Sequence, residues 1–506
     1  MFGDRKTVVR GGGSLVYDRV GGAITFIQDQ VSYLFDNSVT QLFGNVNPRL
    51  ALMNDPRFIS TTNLPVSNTA PAITRPFTPF VEGGVPTGNA TQEFNFAVDQ
   101  NFVTPYSIVY SFGLQREMPG NLLLEVGYVG RQGRKLFTQA DAAQVLDFKD
   151  PASGQSMLAA FNALQAQVQA GVSSANTTSQ PWFENQMASA IGVPCSSIPS
   201  FGGRSCTRVV RDSFLTAVTR GNTAPILQSM YGSGLLNPNV GLSGQFSNNL
   251  YISNQGSSSY NGLLLSLRKR FSNNLQLDFN YTFSHSIDNQ SSVVNTVAGG
   301  IVCDLRNLRV CRGNSDFDVR HVINANWIYY LPFGRGERFG GSAPGWLNTV
   351  IGGWGVTGIY SRRTGLAFST ASGAAPVVFG TGSPAVFSGD GNALGESIHD
   401  SGSTIQFFGD PTTAQAALRF PLHGEIGTRN NLRGPGFWNV DLNVLKNFRL
   451  PWSESHKLQF RWELYNAFNH NSFALPNANI TQTTFGQITG SASIPREMQF
   501  ALRLEF

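Results

Sequence analysis

The chain has 506 residues, and only 13% of them are charged, about half the share of roughly 25% in ordinary soluble domains. The formal net charge of +5 is small for this length, and the scattered basic residues exclude the basic patch of a nucleic-acid-binding protein. No run of about 18 apolar residues occurs, so the sequence contains no candidate transmembrane helix.

Apolar and polar residues alternate along about ten segments, each close to ten residues long, which is the pattern of a membrane-spanning β-strand. In "LQLDFNYTFSH" (275–285), Leu, Phe and Tyr fill one face, and Gln, Asp, Asn, Thr and Ser fill the other. The same period-two pattern predicts strands over 7–17, 106–116, 121–130, 258–271, 275–285, 321–331, 353–363, 438–448, 456–466 and 496–506.

The connections between these strands alternate strictly between long and short. Alternate connections of an antiparallel array lie at opposite ends, so all the long connections share one end. This is the plan of an antiparallel transmembrane β-barrel, with long extracellular loops and short periplasmic turns. We therefore predict an all-β outer-membrane barrel. The long connections are 18–105, 131–257, 286–320, 364–437 and 467–495; the short ones are "EMPG" (117–120), "SNN" (272–274), 332–352 and "RLPWSES" (449–455).

The connection 131–257 contains helical patterns and is predicted to be a large, partly helical extracellular loop. Met157, Phe161, Leu164 and Val168 recur at helical spacing, and "PWFENQMASAIG" and "RDSFLTAVTRG" predict further short helices. We interpret this loop as a folded cap. Its helices either pack only on each other or also contact a ligand.

The four cysteines form two close pairs, Cys195 with Cys206 and Cys303 with Cys311. Neither spacing matches a zinc or redox CxxC pattern. Local disulfides in an oxidising compartment are the favoured interpretation, and free buried thiols are the alternative. Both pairs fall in predicted extracellular loops.

The last segment, "REMQFALRLEF", places Phe500, Leu502, Leu504 and Phe506 on one face of a strand. An unpaired, ordered strand can add to the edge of another sheet. We predict that these four residues form an assembly signal read by the barrel assembly machinery. The alternative is a chance hydrophobic end.

A polar cluster is predicted where an outside loop becomes the strand at 321. Histidines and carboxylates at a barrel rim could hold a metal or activate water, as a rim hydrolase would require. The simpler interpretation is a set of ion pairs that fix the start of the strand. The cluster comprises Asp316, Asp318, Arg320 and His321 in "NSDFDVRH", with His285 and Asp288 across the hairpin.

Two glycine-rich segments lack the spacing of a nucleotide-binding loop. "LPFGRGERFGG" (331–341) has neither a Walker A nor a Rossmann pattern, and "FGTGSPAVFSGDGNALG" (379–395) has no following P-loop lysine. We interpret them as a periplasmic turn and an outside loop. We assign no catalytic, cofactor-binding or metal-binding residue and do not expect an enzyme.

The strand and turn segments resemble the TonB-dependent outer-membrane receptors, in the large Oar-like form common in acidobacteria and their relatives. The resemblance spans nearly the whole chain apart from the loops. The similar segments are "GLQREMPGNLLLEVGYVGRQGRKL", "SSYNGLLLSLRKRFSNNLQLDFNYTFSHSIDN", "GNSDFDVRHVINANWIYYLPFGRG", "GGWGVTGIYSRRTG", "RNNLRGPGFWNVDLNVLKNFRL" and "FRWELYNAFNHNSF".

The resemblance implies a barrel of about 22 strands with an N-terminal plug domain and an energy-coupling box. Neither the plug nor a signal peptide is recognisable here, so residues 1–506 are expected to be the C-terminal part of such a barrel. The implied partners are outer-membrane lipid, the barrel assembly machinery, the missing plug and N-terminal barrel half, and through these the TonB energy-coupling system. No cofactor is implied.

The expected function is therefore uptake of an unidentified large or scarce solute across the cell outer membrane. Two alternatives stay open. One is a stand-alone barrel that acts as an adhesin or surface scaffold. The other is a rim hydrolase that uses His321 and Asp318.

Overall fold

Ten long strands follow one another in chain order within one antiparallel sheet, as the alternation predicts. The computed structural model describes residues 6–18, 93–99, 101–237, 240–242, 246–291, 301–302, 304–378, 382–389, 394–400, 402–449 and 456–506. The ten strands are β1 (Thr7–Tyr17), β2 (Tyr106–Met118), β3 (Leu122–Asp141), β4 (Phe246–Ser272), β5 (Leu275–Asp288), β6 (His321–Tyr330), β7 (Trp354–Arg363), β8 (Phe437–Arg449), β9 (Lys457–Tyr465) and β10 (Glu497–Glu505).

Short strands and helices occupy the connections. The helices are α1 (Met157–Gln169), α2 (Pro181–Ile191), α3 (Cys206–Ser213), α4 (Leu215–Thr219), α5 (Thr223–Gly232), α6 (Gly345–Ile351) and α7 (Pro411–Ala416). No helix in the described ranges is long and apolar enough to cross a membrane. The short strands are Glu93–Val98, Ile301–Val302, Gly313–Asn314, Ala367–Phe368, Val386–Phe387, Glu396–Asp400, Ile405–Phe408, Leu418–Arg419, Leu432–Arg433 and Gln487–Ile488.

The sheet has a short-turn end and a long-loop end, which we name by the connections found there. At the short-turn end, β4 and β5 are joined through Asn273 and Asn274, both at positive φ (49° and 63°). Two consecutive positive φ values match a tight hairpin turn that follows the natural twist of the strands. The β2–β3 turn uses Gly120 and Asn121 in the same left-handed region (82° and 61°).

The register places most of the apolar residues of the ten strands on one side of the sheet, which we call the apolar face. Phe279 of β5, for example, lies opposite Leu267 of β4 on one side and Ala325 of β6 on the other. Because residues opposite each other share a face, these pairings place the apolar residues of neighbouring strands on the same side of the sheet. The same face carries Leu114, Val126, Leu265, Trp327, Tyr360, Val440, Trp462 and Phe500.

The opposite side is the polar face. It carries Arg268 and Asp278, which form an ion pair at 2.9 Å between β4 and β5. The alternation therefore separates a side suited to lipid from a side suited to water, the arrangement of an outer-membrane barrel wall. Other members of the polar face are Glu125, Asn280, Asn324, Asn326, Asp441, Asn443, Arg461, Glu463, Gln499 and Arg503.

The two edge strands are β1 and β10. In the part of the chain that the structure describes, β1 pairs only with β2 and β10 only with β9, so the sheet does not close on itself. The apolar side chains of β10 are open to solvent: Phe500 is 64% exposed and Leu502 is 71% exposed. Phe506 follows the strand and is 91% exposed.

Two predicted connections differ from the structure. The loop predicted at 131–257 is shorter, because β3 and β4 keep pairing as far as Asp141 and Leu250. A bulge interrupts this extension near Lys135, which has φ 53°. The stretch 332–352, predicted as one of the short turns, contains helix α6. Residues 450–455 of the predicted turn "RLPWSES" lie outside the described ranges.

The apolar face makes the first testable prediction. Phe279→Arg places a charge in the middle of this face and should cost about 2–4 kcal/mol of folding free energy in a bilayer. Asn280→Arg, one residue along on the polar face, should cost less than about 1 kcal/mol. Urea titration of the chain in lipid bilayers, followed by heat-modifiable migration on a gel, measures both. Equal losses for the two variants would contradict the assignment of the faces.

Candidate functional site at the long-loop end

The connection between β3 and β4 folds into a helical subdomain with its own core. Helix α1 begins after Ser156, whose hydroxyl accepts from the Ala159 N–H. The predicted helical spacing is confirmed, because Met157, Phe161 and Leu164 are fully buried. The core is completed by Trp182, Phe183, Met187, Val209, Val210, Val218, Ile226, Leu227 and Met230.

A disulfide joins α3 to the short turn after α2. Cys195 and Cys206, the first predicted pair, are bonded and buried in this core. Cys311 is also disulfide-bonded, and its predicted partner Cys303 lies outside the described residues. A crosslink stabilises mainly by restricting the unfolded chain, so the short loop of the first pair contributes modestly.

Asp150 fixes the start of the subdomain. Its side chain is almost fully buried and accepts hydrogen bonds from Ser153, Asn185 and Gln186. Burial alone would raise the pKa of the Asp150 carboxyl, but these bonds outweigh it and lower the pKa to about 2. The carboxylate therefore stays charged above pH 4 and ties α2 to the segment before α1.

A second core forms from the β7–β8 and β9–β10 connections. Phe408 packs on Phe407 and Phe485 with ring centroids 5.1 and 5.0 Å apart. Phe368 packs on Phe407 at 5.7 Å, so these two connections are held together as one body. The chain thus builds folded structure, rather than open coil, at this end of the sheet.

His423 joins the two cores. Its ring packs at a tilt against Phe161, with centroids 4.7 Å apart, and its backbone N–H donates to Asn162 Oδ1 at 2.8 Å. The Nε2–H donates to the Val218 carbonyl, which leaves Nδ1 to accept from the Thr223 hydroxyl. Burial lowers the pKa of His423 to about 4, against a smaller opposing effect of the bond to Val218.

Close backbone contact reinforces this junction. A Cβ on Gly221, which has φ +71°, would lie only 2.1 Å from the Pro421 carbonyl oxygen. Backbone hydrogen bonds also cross from Val145 to Val377 and from Ala224 to Ala375. The cap therefore docks on the β7–β8 connection through contacts that sequence pattern alone did not indicate.

At the long-loop end, a network of side-chain ion pairs connects the loops to the strand ends. Asp318, only 2% exposed, pairs with Arg433 and lies 3.4 Å from Arg320. The Ser286 N–H also donates to Asp318, which ties β5 to the segment before β6. The ion-pair interpretation of "NSDFDVRH" describes this arrangement.

A parallel pair lies beside it. Asp288, at the end of β5, bonds Arg429, and Asn430 bonds both the Asn314 carbonyl and Asp316. The segment 429–433 therefore supplies partners for both buried aspartates. Local pattern could not reveal this, although "RNNLRGPG" stood out as a motif; the partners are separated by 141 and 115 residues.

His321 lies apart from Asp318 in its contacts. The register puts His321 on the apolar face, where Nδ1 contacts the Tyr281 hydroxyl at 2.8 Å and the ring stacks on Phe283 at 4.9 Å. His285 instead contacts Arg320 and Asn314. The structure does not join the two residues that the hydrolase hypothesis requires. Among the described residues, no group of three or more His, Cys, Asp or Glu could hold a metal.

The predicted assembly residues lie on the edge strand. Phe500, Leu502 and Leu504 share the apolar face of β10, and Phe506 follows it. Phe500 stacks on Trp462 of β9 at 6.0 Å. Their role as an assembly signal stays a prediction.

The ion network makes a stability prediction. Asp318→Ala leaves two arginines and the Ser286 N–H without their buried acceptor, and should cost about 3–5 kcal/mol. Asp278→Ala breaks only the pair with Arg268, which is far less buried than Asp318, and should cost about 1 kcal/mol or less. Urea titration in detergent with tryptophan fluorescence measures both losses. Comparable values for the two variants would show that the rim pairs do not fix the loops.

His423 makes a pH prediction. Its folded pKa of about 4 is below the unfolded value of roughly 6.5. As the pH falls, His423 is therefore protonated in the unfolded chain before it is protonated in the folded chain. The stability that the neutral His423 ring contributes is fully present above pH 6.5. It is lost as the pH falls toward 4, and the loss in the free energy of unfolding is up to about 3 kcal/mol. Proteolysis of the cap at a series of pH values should show this loss. His423→Gln should flatten the profile, whereas the exposed His399→Gln should leave it unchanged; a wild-type profile that is already flat would refute the assignment.

Comparison with known proteins gives one family assignment. The profile of the family described as outer membrane beta barrel domain matches residues 1–499. No curated protein matches the sequence.

The chain is also similar to solved outer-membrane proteins. The outer membrane transporter YddB from Escherichia coli is 8% identical, with a TM-score of 0.33 over 81% of this chain and 34% of that one. The siderophore receptor PirA from Acinetobacter baumannii is 9% identical, with a TM-score of 0.30 over 81% and 33%. The chain thus spans about a third of the length of these two proteins. On the match over nearly its whole length, the chain belongs to the outer membrane beta barrel domain family.

Proposed function

We propose that this chain forms part of the barrel of a TonB-dependent receptor, which admits a large or scarce solute across the outer membrane. The register of the ten strands carries the proposal. It keeps one face mostly apolar and the other mostly polar from β1 to β10. When such a sheet curves with its apolar face toward lipid, the polar face lines a lumen through which a solute can pass.

Further strands complete this barrel. Within the described ranges β1 and β10 each have one unpaired edge, and an open sheet edge is not tolerated in the hydrocarbon region. The N-terminal barrel half and the plug expected from the resemblance would cover these edges. Through that plug, the TonB energy-coupling system of the inner membrane would drive uptake.

The folded connections at the long-loop end would select the solute. The helical subdomain contacts the β7–β8 connection through His423, and the buried aspartates hold that connection to the strand ends. Selection requires surfaces held in fixed positions, which this body supplies. We therefore expect the long-loop end to face the cell exterior, where the solute arrives.

An adhesin or surface scaffold is the second candidate. The observation that favours it is the independent core of the helical subdomain, which includes Trp182 and Phe183 as fully buried side chains. A folded cap of this kind could bind another surface without any transport.

Deleting this chain from the host cell distinguishes the receptor from the adhesin or scaffold. Host cells that lack this chain should leave at least one solute in a defined medium that wild-type cells consume. A protonophore should produce the same defect in wild-type cells, because uptake of this kind needs inner-membrane energy. Mass spectrometry of the spent medium measures both effects.

Two matched strains separate the outcomes. Complementation with the full chain should restore uptake, and a variant with residues 142–242 replaced by a short Gly-Ser linker should assemble but lose solute selection. Unchanged consumption of every solute after deletion, together with lost surface attachment, would instead establish the scaffold.

A further inference from the structure

The connection between β6 and β7 exposes large apolar side chains. Trp346 and Val350 of α6 are 72% and 60% exposed, and their spacing of four residues puts them on one face of the helix. Phe333 and Phe339, in the turn before the helix, are exposed as well. Single exposed apolar residues are common, but a group of them in one short connection marks a binding surface. The proposed passage of solute along the polar face does not use these side chains.

This connection is a compact body. The Asn348 side-chain oxygen of α6 accepts the Arg335 backbone N–H of the preceding turn at 2.7 Å. A Cβ on Gly340, which has φ +75°, would lie 2.9 Å from a methyl carbon of Ile351, so the turn packs directly on the helix. The exposed apolar side chains are therefore presented from a folded segment.

Helix α6 lies on the lipid side of the barrel wall. Trp354 and Lys446 are opposite each other on the apolar face, at the short-turn end of the sheet. The Trp354 indole N–H donates to the Val350 carbonyl at 2.8 Å, and the Lys446 amine donates to the same carbonyl at 3.0 Å. Because both side chains project from the apolar face, the end of α6 that they hold lies beside that face. The exposed surface of the helix thus continues the lipid-facing wall.

The charges of the connection suit the headgroup layer of a membrane. Arg335 and Arg338 are exposed, and the Arg338 guanidinium lies 5.5 Å from the centre of the Phe339 ring. Glu337 is the only acidic side chain of this connection, and it accepts a hydrogen bond from the Asn274 amide of the neighbouring turn at 3.1 Å. Arginine and tryptophan both favour the level at which a barrel wall leaves the hydrocarbon region.

We propose that this connection is an interfacial anchor, which inserts the exposed face of α6 and the two phenylalanines among the headgroups of the phospholipid leaflet at the short-turn end. The bound surface is lipid because the apolar side chains continue a wall that already faces lipid, and because one more basic than acidic residue accompanies them. The anchor fixes the depth of β6 and β7 in the bilayer. It serves a receptor and a scaffold alike.

Fluorescence quenching in bilayers tests the position of α6. The full chain is folded into phosphatidylcholine vesicles whose acyl chains carry bromine either near the headgroup or near the terminal methyl. The difference between the wild type and Trp346→Phe isolates the emission of Trp346, and heat-modifiable migration shows that both proteins are folded. We expect bromine near the headgroup to reduce this emission about twofold, and bromine near the terminal methyl to reduce it much less, because the indole lies at the headgroup level.

Two other tryptophans provide matched references. Trp182 is fully buried in the helical subdomain, so neither brominated lipid should quench the emission that Trp182→Phe isolates. Trp327 lies on the apolar face of β6, so brominated lipid should quench the emission that Trp327→Phe isolates whether or not α6 is an anchor. Failure of the anchor is therefore distinguishable from failure of the wall to enter the bilayer.

Two results would overturn the proposal. One is Trp346 emission that both brominated lipids leave unchanged and that acrylamide in the water quenches fully, which would leave this face to a protein partner. The other is stronger quenching of Trp346 by bromine near the terminal methyl, which would place α6 in the hydrocarbon core and not among the headgroups.

Discussion

In a bilayer every backbone N–H and C=O must find its partner within the protein, and this constraint organises the chain. Antiparallel pairing satisfies the groups between neighbouring strands, and it also fixes which side chains face the same way. A slip of one residue in any pairing would turn the apolar set of a strand toward water. The tight turns through Asn273 and Asn274, and through Gly120 and Asn121, help to set the register on which every other strand depends.

The polar ends of the strands then determine how the loops are held. Asp288 and Asp318 are buried at the long-loop end, where an unpaired carboxylate would be costly. The segment 429–433 supplies an arginine to each of them, although it belongs to a different connection. A Cβ on Gly313 would meet the Arg429 carbonyl oxygen at 2.5 Å, so charge pairing and close backbone approach occur together. The ends of the strands therefore determine where these loops lie.

Strands could be predicted from sequence because lipid and water act on alternate residues within a short segment. The extension of β3 could not, because Thr138, Ala140 and Asp141 are buried among loops where alternation is no longer required. Helix α1 was predicted from Phe161 and its neighbours, which face one local core. The contact of His423 with Thr223 joins residues 200 positions apart, so no local period indicates it. Long-range polar pairs escape this kind of prediction for the same reason.

The charged and histidine residues on the apolar face follow the same physical rule. They lie near the two ends of the sheet. Arg116, Lys269 and Lys446 lie toward the short turns, and Arg134, His285, His321 and Arg362 lie toward the long loops. Lys446 shows how such a charge is accommodated. Its amine donates to the carbonyls of Val350 and Gly352 at the end of α6, and it lies 4.9 Å from the Trp354 ring. A cation is favourable at a helix C-terminus, so α6 has a role beyond that of a connecting turn. The helix that the alternation pattern did not predict thus stabilises one of the few charges that the apolar face carries.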